Sequence, residues 1–113
     1  MVTTTDEIYL KAEEINDYQQ TFRDMLNRLE SESKRHGEDN DCQVVMQLNQ
    51  QTDGKQWKMF IYYTGNGHFC YSYQDQNYWD TMTYPGIDLE QMIALMLEDM
   101  HAVGGIEWIA LDF

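Results

Sequence analysis

Positive charge is scarce in this chain, and no Lys or Arg follows residue 58. Twenty acidic residues stand against seven lysines and arginines, which gives a net charge of −13. Residues 59–113 contain acids but neither Lys nor Arg, because the last basic residue is Lys58. Such a chain repels phosphate, so we expect no direct binding to nucleic acid or to a membrane. The charge favours a basic partner, including proteins that themselves hold nucleic acid.

Long apolar runs and a disulfide framework are also missing. The longest apolar run, residues 92–97, is too short to span a bilayer, and the N-terminus has no signal-peptide pattern. The two cysteines, Cys42 and Cys70, are expected on strands too far apart to pair. The expected location is therefore a reducing cytoplasm, that of the host cell if a phage encodes the chain.

Motifs for chemistry are few. The glycines of residues 65–67 lack the spacing of a phosphate loop, so we interpret them as a hairpin turn. His68 and Cys70 lie two residues apart, but a closed zinc site needs four ligands. The acidic run 38–41 lacks the spacing of a calcium loop. We predict no catalytic residue, no metal site and no cofactor.

A single domain, residues 1–113, suits this length and apolar content. A first helix is predicted over residues 5–36, because apolar residues recur at helical spacing from Ile8 to Leu29. Its last two turns extend beyond this apolar stripe and are expected in solvent.

A second helix is predicted over residues 89–103. Asp88 can cap its first turn with Gln91 at the third helical position. The two glycines at 104 and 105 can end it. Nearly all of this helix is apolar, so we expect it to be buried.

Three strands are predicted at residues 42–49, 57–64 and 68–74, as an antiparallel meander centred on the second. Residues 106–111 form a predicted fourth strand, and residues 75–86 a long irregular linker. The predicted fold class is α+β, in the order α-β-β-β-α-β, with both helices on one face of the sheet.

Alternation along the three strands places their side chains on two faces. One face is mainly aliphatic and is expected under the helices; it includes Val44, Met46, Leu48, Met59, Ile61, Tyr63 and Cys70. The other is expected as an aromatic surface; it includes Val45, Phe60, Tyr62, Phe69, Tyr71 and Tyr73. A two-residue turn at 66–67 would place Tyr62 opposite Tyr71, and by the same register Phe60 opposite Tyr73.

Aromatic residues on the third strand and the linker form the predicted partner-binding site, because Tyr and Trp concentrate at binding hot spots. The predicted anchors are Tyr71, Tyr73, Tyr78 and Trp79, and the predicted charged rim is Asp75 and Asp80. An alternative is a second small core in which the linker aromatics fold back over the strand. An acid–base role for Asp75, Asp80 and His68 is the enzymatic alternative.

Three functions are compatible with these features. The first is a small inhibitor, such as a phage anti-defence (anti-CRISPR-like) protein, whose carboxylates mimic the phosphates of nucleic acid. The second is an immunity protein that neutralises a nuclease toxin, and the third is a homodimeric acidic chaperone for secreted effectors. We take the inhibitor as the working hypothesis, with a basic nucleic-acid-binding protein as its partner. The chain itself could be a monomer or a homodimer.

Overall fold

A computed structural model describes residues 7–35, 44–52, 55–75, 82–103 and 106–112. The fold class is α+β, as the sequence predicts. Its elements in chain order are β1 (Glu7–Lys11), a 3-10 helix (Ala12–Glu14), α1 (Tyr18–Arg35), β2 (Val45–Thr52), β3 (Lys55–Gly65), β4 (His68–Asp75), β5 (Met82–Asp88), α2 (Leu89–Val103) and β6 (Trp108–Asp112). Neither helix in these ranges has an apolar stretch of membrane-spanning length.

All six described strands form one antiparallel sheet, in the order β1-β6-β2-β3-β4-β5. The central strands are those that the sequence predicts. Two edge strands are added to the predicted sheet. β1 replaces the start of the predicted first helix, and β5 occupies part of the predicted linker.

The predicted start of the first helix is wrong, because α1 begins at Tyr18. The preceding residues pair with β6, where Ile8 lies opposite Leu111 and Leu10 opposite Ile109. Ile8 and Leu10 pack against the core from this strand. Tertiary pairing thus decides a segment whose apolar spacing suits either structure.

α2 matches the prediction in its bounds and its cap. The Gln91 backbone N–H donates to Asp88 Oδ1 at 2.8 Å, and the Asp88 N–H donates to Gln91 Oε1 at 3.2 Å. This reciprocal pair satisfies two donors at the helix start.

The hairpin between β3 and β4 contains the predicted two-residue turn and, unexpectedly, a bulge. Asn66 and Gly67 both have positive φ, 53° and 75°, as the tight hairpin turn requires. Gly65 lies opposite His68, but the register then shifts by one residue at Thr64.

This shift makes the predicted cross-strand pairs wrong. Tyr71 lies opposite Ile61, and Tyr73 opposite Met59. A one-residue slip moves every side chain of a strand to the other face. Phe69 and Tyr71 therefore face the core, while Cys70 faces away from it.

One hydrophobic cluster joins both helices to one alternation set of the sheet. Its fully buried side chains, at 0–2 % exposure, are Phe22, Leu26, Leu29, Met46, Leu48, Met59, Ile61, Phe69, Met92, Ile93, Met96, Ile109 and Leu111. The two helices also contact each other. Four residues that the sequence predicts under the helices are buried in the structure: Val44, Met46, Met59 and Ile61.

Candidate functional site

The sheet has a core face and a second face, which we call the open face. On β3, Met59 and Ile61 are fully buried, whereas Lys58, Phe60 and Tyr62 between and beside them are half-buried. Side chains of a strand point alternately to opposite faces, so these two sets lie on opposite sides of the sheet.

The observed pairings extend the open face across the sheet. Its members are Tyr9 and Lys11 on β1, Trp108 and Ala110 on β6, Val45, Gln47 and Asn49 on β2, Lys58, Phe60 and Tyr62 on β3, and Cys70 and Ser72 on β4. None of its apolar side chains belongs to the core cluster. The open face is the candidate functional site.

An aromatic pair occupies the β1 side of the open face. The rings of Tyr9 and Trp108 lie 5.4 Å apart between centroids, tilted by 33°. Tyr9 is 43 % exposed, whereas Ala110 directly opposite it is buried. Asn49 and Ser72 on the same face are buried as well, at 4 % and 8 % exposure, so the exposed part of the open face lies on its larger side chains.

Polar groups border one end of the open face. The Asn49 side-chain amide donates from Nδ2 to Glu107 Oε2 at 3.0 Å, and the Glu107 N–H donates to the Asn49 carbonyl at 2.8 Å. The Ala12 N–H donates to the Glu107 carbonyl at 2.9 Å, which brings the exposed Glu13 and Glu14 to the same corner. We call Glu13, Glu14 and Glu107 the acidic corner.

Tyr71 is not on this surface, and its predicted exposure is wrong. It is 8 % exposed, and its ring stacks on that of Tyr84 with centroids 4.8 Å apart. Burial, followed by the charges of Tyr84, Asp99 and Glu98, raises the pKa of the Tyr71 hydroxyl. The bulge at Thr64 is the cause, because it turns Tyr71 inward. Tyr71 is therefore removed from the predicted anchors.

The other predicted site residues stay predictions. The backbones of Tyr73 and Asp75 lie on β4, opposite Met59 and Trp57, so Tyr73 shares the alternation set of Tyr71. The side chains of these two residues lie outside the described part of the structure. So do Tyr78, Trp79 and Asp80, which the sequence places in the linker.

Sequence reasoning missed Tyr9 and Trp108. Tyr9 lies within the predicted first helix. Trp108 lies in the predicted fourth strand, for which the sequence does not predict the side of the sheet that each residue occupies. The alternation of residues 7–11, acid–apolar–aromatic–apolar–base, is the signal that could have identified an edge strand.

Among the side chains that the structure describes, four basic residues of α1 form ion pairs. Arg23 binds Glu90 of α2 through two bonds, at 2.6 and 2.9 Å, while Arg28, Lys34 and Arg35 pair with acids of α1 itself. The bond to Arg23 holds the pKa of the exposed Glu90 carboxyl below its usual range. These positive charges are thus offset by neighbouring acids, and the molecule keeps a strongly negative field.

Within the described ranges, no three His, Cys, Asp or Glu side chains lie close enough together to hold a metal ion. Comparison with protein-family models, curated proteins and solved structures finds no match to this chain.

Proposed function

We propose that this protein is a small acidic inhibitor, without enzymatic activity, that binds a basic surface of another protein through its open face. The observation that carries the proposal is the exposed part of the aromatic side chains there. Tyr9, Phe60, Tyr62 and Trp108 all lie outside the core cluster. Contiguous aromatic patches on a protein surface commonly mark interaction sites. Tyr and Trp suit such a site because each joins a large apolar ring to a polar group.

The charge of the molecule specifies the sign of the partner. At a net charge of −13, the long-range field attracts basic surfaces and repels acidic ones. The acidic corner adds carboxylates at the end of the open face, where Glu107 precedes Trp108 in the chain and its backbone bonds to Ala12 and Asn49. Carboxylates on a protein surface can occupy the positions that phosphates take in a nucleic-acid groove.

The partner is accordingly a protein whose basic groove normally holds nucleic acid, and the inhibitor competes with that nucleic acid. A phage anti-defence protein of the anti-CRISPR kind fits this description. Its site of action is then the cytoplasm of the host cell.

The first step of the test identifies the partner. The protein is immobilised and used to capture proteins from host lysate, with and without excess DNA or RNA. Captured proteins that nucleic acid displaces are then purified for direct binding measurements. A nuclease toxin among them would assign an immunity function instead.

The second step measures binding kinetics with the purified partner. Association should be fast at low salt and slow markedly as salt rises, because steering is screened beyond roughly 10 Å at about 0.1 M. An on-rate that stays flat, together with no competition from nucleic acid, would eliminate nucleic-acid mimicry.

The third step tests the open face. The double variant Phe60→Thr, Tyr62→Thr keeps strand-forming residues and should weaken binding by about 2 kcal/mol or more, roughly 30-fold. Gln19→Ala, at an exposed position of α1, is the matched control and should bind like the parent. Unchanged affinity of the folded double variant would show that another surface binds the partner.

A further inference from the structure

The two edges of the sheet differ in how well they could accept another strand. β5 contains Pro85, which has no N–H to donate, and Gly86 at φ 74°, beside a register shift against β4. Proline and bulges are common protections against pairing at an edge. β1 has neither: all five of its residues pair with β6 in regular register. No described strand lies on its outer side.

The sequence of β1 is complementary to itself. It is Glu7, Ile8, Tyr9, Leu10, Lys11, with opposite charges at its two ends. If two copies pair antiparallel about Tyr9, Glu7 of each lies opposite Lys11 of the other, and Ile8 lies opposite Leu10. Opposite charges and apolar side chains are both favourable as directly facing pairs.

A groove beside β1 offers space on the core side of the same edge. Its volume is about 390 Å³, and it is lined by Ile8 of β1 and by Asp24, Met25, Asn27, Arg28 and Ser31 of α1. Ile8 and Leu10 are only half-buried in the single chain. A second strand on this edge would cover both, which would bury more apolar surface than the strand pairing alone.

We propose that β1 is a dimerisation edge, where two copies of this chain pair antiparallel about Tyr9 and join their sheets into one. The arrangement is isologous, because each copy presents the same surface. It brings two open faces onto one continuous sheet, with Tyr9 of both copies at the centre. This inference goes beyond the proposed function, which requires only one copy.

Charge exchange at the two ends of β1 is the first test. The mass of the protein is measured by sedimentation from micromolar to millimolar concentration, and the wild type should form a dimer in the upper part of this range. Glu7→Lys and Lys11→Glu each place like charges opposite one another twice, so each should raise the dimer dissociation constant by about tenfold. The double variant Glu7→Lys, Lys11→Glu restores opposite charges and should dimerise like the parent.

The two single variants control for net charge. Glu7→Lys makes the chain less negative, whereas Lys11→Glu makes it more negative. A general charge effect would therefore move their dissociation constants in opposite directions, and the edge pairing moves both upward. The proposal would be overturned if the dissociation constants of the two single variants moved in opposite directions. It would also be overturned if the double variant dimerised as weakly as the single variants.

A disulfide tests the register. Directly facing residues of an antiparallel pair have Cα atoms about 4.5–5.5 Å apart, within disulfide range. Tyr9→Cys, with Cys42 and Cys70 replaced by Ser, should form a covalent dimer under mild oxidation. Tyr84→Cys on β5, also exposed, is the matched control and should stay monomeric.

Three other results would overturn the proposal. One is a wild type that stays monomeric over the whole concentration range, and another is equal cross-linking of the Tyr9→Cys and Tyr84→Cys variants. The third is hydrogen-exchange protection of β1 amides that rises only when the inhibited protein is added, which would assign this edge to a strand of that partner.

Discussion

On β3, Met59 and Ile61 are fully buried, whereas Phe60 and Tyr62 next to them are half-buried. The core face is mainly aliphatic, although it includes Phe69 and Tyr71, and two helices pack on it. The open face carries aromatic side chains with polar residues at its border. All four residues are apolar or aromatic, so hydrophobicity alone does not separate the two faces. What separates them is position along the strand, together with the helices that pack on one set.

The largest expected effect is a loss of stability when an acid replaces a core-face residue of β3, compared with the same change at the next position on the open face. Ile61→Asp should cost about 4 kcal/mol or more of stability, because it buries a carboxylate without a partner. Tyr62→Asp, one residue along the strand, should cost about 1 kcal/mol, because its side chain is half-exposed. Urea denaturation of both variants gives the two free energies of unfolding. Similar losses would show that the open face is also covered.

Deletion of Thr64 tests whether the bulged residue is needed to hold the observed register. It leaves Gly65 opposite His68 and Tyr63 opposite Phe69 as consecutive pairs, so Phe69 and Tyr71 should stay on the core face, at an expected cost of about 1 kcal/mol. Thr64→Ala keeps the bulge and loses only the hydrogen bond from Thr64 Oγ1 to the His68 carbonyl, for about 1 kcal/mol or less. Thermal unfolding of both variants provides the comparison, and a much larger loss on deletion would show that the register moves.

Burial of Tyr71 should make the protein sensitive to alkaline pH. Its folded pKa is raised above the ordinary 10.0, so the folded state holds the proton more tightly than the unfolded state. This contribution to stability is present below pH 10 and is lost as pH rises through the folded value. Tyr71→Phe should therefore flatten the alkaline decline in free energy of unfolding.

A Cys70→Ser background isolates that effect, because burial also raises the pKa of the Cys70 thiol. Tyr62→Phe on the open face leaves Tyr71 in place and should keep the decline. An unchanged decline in Tyr71→Phe would show that another group causes it.

The smallest effect concerns reactivity and leaves stability unchanged. Cys70 is half-buried on the open face, and burial raises the pKa of its thiol. Because the thiolate is the reactive form, a thiol reagent should modify folded Cys70 more slowly than the unfolded chain at the same pH. The rates are compared in a Cys42→Ser variant with and without denaturant. Equal rates would indicate that Cys70 is open to solvent.

Sequence reasoning predicted well the helix start and the hairpin turn, which are determined by residues close together in the chain. The start of α2 follows from Asp88 and Gln91, which lie three residues apart and bind each other. The hairpin turn follows from Asn66 and Gly67, which tolerate positive φ. In both cases the residues that decide the structure are neighbours in the chain.

Of the candidate site, the sequence predicted an uncovered aromatic face but assigned some of its members wrongly. Phe60 and Tyr62 are on the open face as predicted, because they belong to β3, where the alternation was recognised correctly. For Tyr71 the predicted face is wrong, because its side chain lies on the core face. A bulge changes the register without a clear signal in composition, since Thr64 would also fit a regular strand.

By itself, the sequence determined the acidic charge, the α+β class and the local elements whose caps and turns are encoded by adjacent residues. Tertiary structure alone decided that residues 7–11 form a strand, because their partner β6 lies about a hundred residues further along the chain. It also decided which aromatic side chains remain at the surface. Strand pairing and register depend on contacts between distant segments, and the free energy of burying Phe69 and Tyr71 selects one register over another that the local sequence allows equally well.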